Sequence, residues 1–228
     1  MDAKTLGLNY DGTESYDRTL LGGKIAADWR QALVARGLAW RFNVGSFATQ
    51  TDTGITGGGN GTVMDADQPE FVISVPATYT LVPLEFNVQA RPGLQTTDSH
   101  VTDILIGVDR SAAWAGDGTF TAVTPVNMRT NTASGCPASC GAAFTADMTD
   151  PAAAGWQELA RNTLLTDVQG TAATVNLMGL QLRYAPDPAP FIVGPAMVVG
   201  YWGGSIAVVG FAQLSFAVIP SSLITGLS

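Results

Sequence analysis

An all-β fold, an antiparallel β-sandwich with one short N-terminal helix, is what this sequence predicts, and three observations predict it. Apolar residues alternate with polar ones in run after run, the period of strands with one buried face. Glycine and proline are frequent, 26 and 12 of 228 residues, and they fall mostly between those runs. Only one segment carries a helical period, and no strand–helix alternation supports a parallel sheet.

Residues 1–21 are polar and contain glycine, with weak alternation at Thr5–Tyr10, as in an arm or an edge strand. Gly22–Gly37 is the helix, with Ile25, Trp29 and Leu33 at i, i+4, i+8 and Gly37 as its stop. Ala39–Phe47 alternates, with Trp40, Phe42 and Val44 on one face and Arg41 and Asn43 on the other. Ala48–Thr62 is rich in Gly and Thr and predicts a long loop. Its GGGNG run lacks the Lys-Ser/Thr ending and following helix of a phosphate loop.

Phe71–Val75 and Thr78–Arg91 are the next strands, interrupted by Pro76 and Pro83. In the second, Leu84, Phe86, Val88 and Ala90 alternate with Glu85, Asn87 and Gln89. Thr102–Arg110 places Ile104, Ile106 and Val108 inward and Asp103 and Asp109 outward. A turn at Ala115–Gly118 precedes a returning strand over Thr119–Arg129, which carries Phe120, Val123 and Val126. Thr130–Gly155 is a second long irregular stretch. Trp156–Asp167 fits neither strand nor helix well, whereas Ala172–Tyr184 alternates, with Met178, Leu180, Leu182 and Tyr184 on its inner face. Pro186, Pro188 and Pro190 make a stiff connector.

The most apolar stretch closes the chain. Ala196–Trp202 and Ile206–Ile219 flank Gly203-Gly204-Ser205, which predicts a central hairpin. Leu214, Phe216 and Val218 point one way, Gln213, Ser215 and Ala217 the other. Pro195, Gly200, Gly203, Gly204, Gly210 and Gln213 break the run, and its period is two, so a membrane-spanning helix is not expected.

Composition narrows the function. Hydrophobic residues make up 46% of the chain, enough for a packed core. Charged residues are 13%, about half the usual share, so much of the surface is neutral and suited to contact with other subunits. The net charge is −8 with no basic run, which disfavours direct binding of nucleic acid. The opening MDAKTLGLNYDG has no signal-peptide pattern.

Chemistry-bearing residues are few. Cys136 and Cys140 lie in GCPASCG, a spacing that permits a small local disulfide or two free thiols; zinc would need two more ligands. His100 is the sole histidine, on a segment that reads as a loop, and no Gly-x-Ser-x-Gly accompanies it. Asp65 and Asp67 form a weak calcium candidate beside the Gly-rich loop, as do Asp147 and Asp150, without the twelve-residue calcium-loop pattern. Glu70 and Glu85 sit in strand patterns with no evident partner for glycoside hydrolysis. The five tryptophans are dispersed; Trp114, beside its turn, is the one placed to stack on a sugar.

About eight strands with long irregular connections suit Greek-key crossings, of which the jelly roll is the eight-stranded form. An eight-strand chain of this length, ending in the apolar hairpin GP…YWGG…GFAQLSF (Gly194 to Phe216), resembles the single jelly-roll coat proteins of icosahedral viruses, phages included. The resemblance implies one jelly-roll domain over 22–228 behind an arm at 1–21. It also implies a non-catalytic, self-assembling virion structural protein, either capsid or outer-shell decoration. Such a protein takes no cofactor. Its partners are copies of itself, as a trimer or larger shell, and other virion proteins. It would be made in the host cytoplasm and end in the virion. The arm and the loops 48–62 and 130–155 would be its inter-subunit elements. Many such coat proteins carry a basic N-terminal arm; this chain begins Met1-Asp2-Ala3-Lys4, so direct genome contact is not expected. Two other classes compete: a carbohydrate-binding or adhesin sandwich using Trp114, and a glycoside-active enzyme.

Overall fold

Alternation in the sequence becomes register in a computed structural model. It describes residues 6–8, 14–16, 29–45, 55–56, 68–92, 100–110, 120–133, 135–144, 154–166, 179–204 and 208–224. The elements, in chain order, are β1 (Leu6–Leu8), β2 (Glu14–Tyr16), α1 (Trp29–Ala35), β3 (Ala39–Val44), β4 (Ile55–Thr56), β5 (Phe71–Val75), β6 (Tyr79–Pro92) and β7 (His100–Asp109). They continue with β8 (Phe120–Val123), β9 (Val126–Asn127), β10 (Ser139–Phe144), β11 (Trp156–Thr166), β12 (Leu180–Tyr184), β13 (Ile192–Val193), β14 (Ala196–Gly204) and β15 (Val208–Pro220). A 3-10 turn, Ser221–Leu223, follows.

Two antiparallel sheets carry the fold. One has the order β11-β7-β14-β5-β10-β8; the other has β12-β6-β15-β3-β9, with β13 added to β6 and β4 to β15. β1 and β2 form a separate two-stranded ladder. Eight of these strands are nested pairs: β3 with β15, β5 with β14, β6 with β12, and β7 with β11. The first joins the last, the second the last but one, and so inward. The middle pairs then dock on the outer ones, β6 on β15 and β7 on β14. This strand order is that of the eight-stranded jelly roll, two Greek keys folded over each other.

The main core lies between the sheets. Phe71, Ile73, Ile104, Ile106, Val198 and Trp202 from one sheet meet Phe42, Phe86, Val88, Leu214, Phe216 and Val218 from the other. β3 matches its reading: Trp40, Phe42 and Val44 are buried, Arg41 and Asn43 exposed. Each sheet also buries part of its outer face. α1 lays Leu33 on Val82, Leu84, Ala217 and Ile219. On the other sheet Val72, Leu105, Met197, Val199 and Tyr201 form a cluster with Phe120 and Trp156. β5 and β14 are therefore buried on both faces.

Several expectations are corrected. The closing run is not a hairpin. β14 pairs with β5 and β7, whereas β15 pairs with β3, β4 and β6 in the opposite sheet. Both runs are too apolar to sit at a sheet edge, so each becomes central in its own sheet and Gly203-Gly204 begin a crossover. They meet across the core instead, where a Cβ on Gly210 of β15 would fall 2.4 Å from the indole of Trp202 of β14. In β6, Leu84 does not share a face with Phe86. The ladder to β15 slips between Ser215 and Phe216, so Leu84 bulges and turns outward under α1. Pro83, which has no N–H to give the ladder, sits at that bulge.

The strand expected over Thr119–Arg129 is two, β8 and β9, in different sheets, with buried Pro125 between them. The stretch 130–155 contains β10, a full member of its sheet. β11 is an eleven-residue strand. α1 begins at Trp29 among the described residues and stops at Gly37, whose φ of +74° is one that glycine adopts freely. Asp109, read as facing water, is 1% exposed, because the apolar outer cluster surrounds that face of β7. No described helix is long and apolar enough to cross a membrane.

Candidate functional site

The described residues hold one reactive cluster, the thiols of Cys136 and Cys140. Cys140 lies on β10 between Ile73 of β5 and Val123 of β8, and it is buried in the main core. Cys136 precedes it on the approach from β9, half-buried against the same cluster. Both are free cysteines, joined by a side-chain hydrogen bond. That bond, helped by the Ala138 main chain, holds the Cys136 thiol below its ordinary value against the opposing effect of burial. Burial pushes the Cys140 thiol well up, and the neighbouring Cys136 adds to the rise. The pair is thus asymmetric, with the nucleophilic sulfur on the accessible side.

Glu70 shows a different use of a carboxylate. It is 2% exposed and sits just before β5. β5 ends its ladder with β14 at Phe71 and Gly200, so beyond that point β14 keeps β7 on one side and loses its strand partner on the other. The Glu70 side chain replaces it, accepting a hydrogen bond from the Trp202 amide at 2.9 Å. Its main chain also bonds Gly200 and Ala143, tying β14, β5 and β10 together. Glu70→Ala is expected to destabilise the protein by about 1–2 kcal/mol, and Glu70→Gln, which keeps an acceptor, by less. Urea unfolding of the two variants measures the difference.

The other sequence candidates are dispersed. Glu85 lies on the outer face of the second sheet and pairs with Arg183 at 2.8 Å. It shares no cleft with Glu70, so these two do not form a carboxylate pair. His100 is the first residue of β7, opposite Thr166 of β11, and not in a loop. Trp40 and Trp202 are core residues, and Trp156 stacks on Gly107 of β7, where a Cβ would fall 2.1 Å from its ring. Trp29 lies on α1 beneath the Arg30 guanidinium. Asp65, Asp67, Trp114, Asp147 and Asp150 lie outside the described residues. No group of three or more His, Cys, Asp or Glu able to hold a metal occurs among the described residues.

Along the outer face of the second sheet Asn43, Gln213, Asn87 and Arg183 form one cross-strand row. Gln181, opposite Gln89, donates to Asn87 of that row at 2.9 Å. Exposed large apolar side chains are Leu165 on β11, Phe191 before β13 and Leu223 in the final turn. Phe191 and Leu223 flank the start of β6. Leu165 lies on β11 in the other sheet, opposite Val101 of β7.

Fold and surface together define an all-β antiparallel jelly-roll sandwich. No protein-family model matches the chain. No curated protein matches it. Among solved structures it is similar to PNGF-II in space group P21, at 9% identity and a TM-score of 0.29, over 76% of this chain and 34% of that one. At that score the likeness carries no argument.

Proposed function

We propose that this chain is a self-assembling shell subunit, a structural protein of an icosahedral virion. The observation that carries the reading is the nested strand order: eight strands paired first to last in two sheets. That is the scaffold the resemblance in the closing run implies. A fold hosts many functions, so the surface has to suit the role as well. The chain is poor in charge, and one sheet presents three amides in a cross-strand row, Asn43, Gln213 and Asn87, which suit contact with a neutral partner. Three large apolar side chains, Leu165, Phe191 and Leu223, stand exposed and offer contacts to neighbouring subunits. Assembly in this reading is homo-oligomeric, through neutral and apolar surfaces, and needs no cofactor.

Negative-stain microscopy and light scattering of the purified full chain test the proposal. Closed particles or symmetric oligomers at neutral pH are expected. A clean monomer at high protein concentration overturns it.

A further inference from the structure

We propose that Cys136 and Cys140 are a site of reversible covalent modification, a dithiol that closes to a local disulfide with Cys136 attacking and Cys140 resolving. The inference is independent of the shell reading. It rests first on placement. The chain reaches Cys136 through Gly135, whose φ of +69° turns it toward β10. Pro137 and buried Ala138 then carry it into the strand, so that both sulfurs belong to one cluster and share a hydrogen bond. Two thiols already in contact need only a small approach of their sulfurs to bond. The second support is unequal access: Cys136 is half-buried, whereas Cys140 is 3% exposed. Of the two residues, Cys136 is the one that offers surface to a small reagent.

The chemistry follows thiol–disulfide exchange with a low-molecular-weight disulfide such as oxidised glutathione. The Cys136 thiolate attacks one sulfur of the reagent. The reagent's S–S bond breaks, one half leaves as a thiolate, and a mixed disulfide forms on Cys136. Cys140 gives its proton to the departing thiolate and attacks the Cys136 sulfur. The second half of the reagent leaves, taking a proton from solvent. Two protein thiols are oxidised and one reagent disulfide is reduced to two thiols. The asymmetry in thiol acidity runs the same way, because the more acidic thiol belongs to the less buried cysteine.

The position gives the bond a structural role. β9 pairs with β3 in one sheet and β10 with β5 in the other, so residues 128–138 are a link between the sheets. A disulfide here fastens the end of that link to the strand it feeds.

The test uses the full chain, purified in reductant, desalted and exposed to oxidised glutathione. Samples are quenched with N-ethylmaleimide at intervals and read by intact mass and non-reducing peptide mapping. Wild type is expected to end without alkylatable thiols, without bound glutathione, and with 136 joined to 140. Cys140→Ala is expected to accumulate a glutathione adduct on Cys136. In Cys136→Ser the remaining thiol should label at least about tenfold more slowly than Cys136 does in wild type. Should Cys140→Ala fail to fold, the pH dependence of wild-type alkylation decides. Cys136 lies below the ordinary thiol value, so its labelling rate should plateau at lower pH than that of a free cysteine. Two thiols persisting at equilibrium overturn the proposal, as do equal labelling rates, an adduct on Cys140, or intermolecular disulfides as the main product.

Discussion

Replacing Trp202 with alanine is expected to destabilise the protein by about 3–5 kcal/mol, the range for deleting a large aromatic from a packed core. Trp202 is wholly buried and stands between the sheets, its ring beside Phe71 at 6.5 Å and against the bare Cα of Gly210. The same contact makes a second substitution informative. Gly210→Ala places a methyl 2.4 Å from the fused edge of the indole, and the ring, enclosed on all sides, has little room to yield. A loss of about 1–3 kcal/mol is expected. In the Trp202→Ala background that methyl enters the vacated space, so Gly210→Ala should be neutral or stabilising there. Urea midpoints of the four proteins, with unchanged slopes, measure the coupling. Strictly additive losses would mean that the two positions do not touch.

Asn127 is the second position with a large expected effect. It is 8% exposed, and one amide serves three main-chain groups. Its Nδ2 donates to the Gly37 carbonyl at 2.8 Å, where α1 ends. Its Oδ1 accepts from the amides of Arg129 at 3.0 Å and Thr130 at 3.3 Å, closing the turn after β9. Asn127→Ala strands all three and is expected to cost about 2–3 kcal/mol. Asn127→Asp keeps the two acceptor bonds and loses the donor, setting a carboxylate oxygen against the Gly37 carbonyl. It should cost less than alanine at low pH, where a protonated oxygen can again donate, and more at neutral pH. Thermal melts across that pH range separate the two contributions.

Much of the architecture was legible because one face of each strand is apolar and the other is not. β3 reads directly as Trp40, Phe42 and Val44 against Arg41 and Asn43. The same rule fails for β10, Ser-Cys-Gly-Ala-Ala-Phe, whose small side chains carry no alternation. It lies in the sheet because it is small: a Cβ on Gly141 would meet the Phe120 Cβ at 2.6 Å. The rule also fails where both faces are buried, as in β14 and the last residues of β15. There the apolar run announces two strands and the glycines a reversal, yet nothing local says which sheet each strand joins. That choice is made by β3, β5, β6 and β7, far away in sequence. The candidate site follows the same division. The spacing of Cys136 and Cys140 was visible, but their unequal burial depends on neighbours from β5 and β8. Glu70 and Asn127 act through main-chain groups of distant residues, Trp202 and Gly37, and no composition or spacing marks such partners.

The nested pairing also governs the order in which the molecule can be made. A ribosome delivers β3 early, and its long ladder partner is the last strand of the fold; Trp40 waits for Phe216. β5 likewise waits for β14, and of the nested pairs the innermost, β7 with β11, joins the strands that emerge closest together. Loop closure on this scale is entropically slow, so folding should lag behind synthesis and start from the middle of the chain. Until Val208–Pro220 leaves the exit tunnel, β3 and β6 expose unpaired backbone to any neighbouring nascent chain. The most apolar stretch of the sequence is thus also the last to arrive, and its docking converts a set of sticky edges into a closed sandwich.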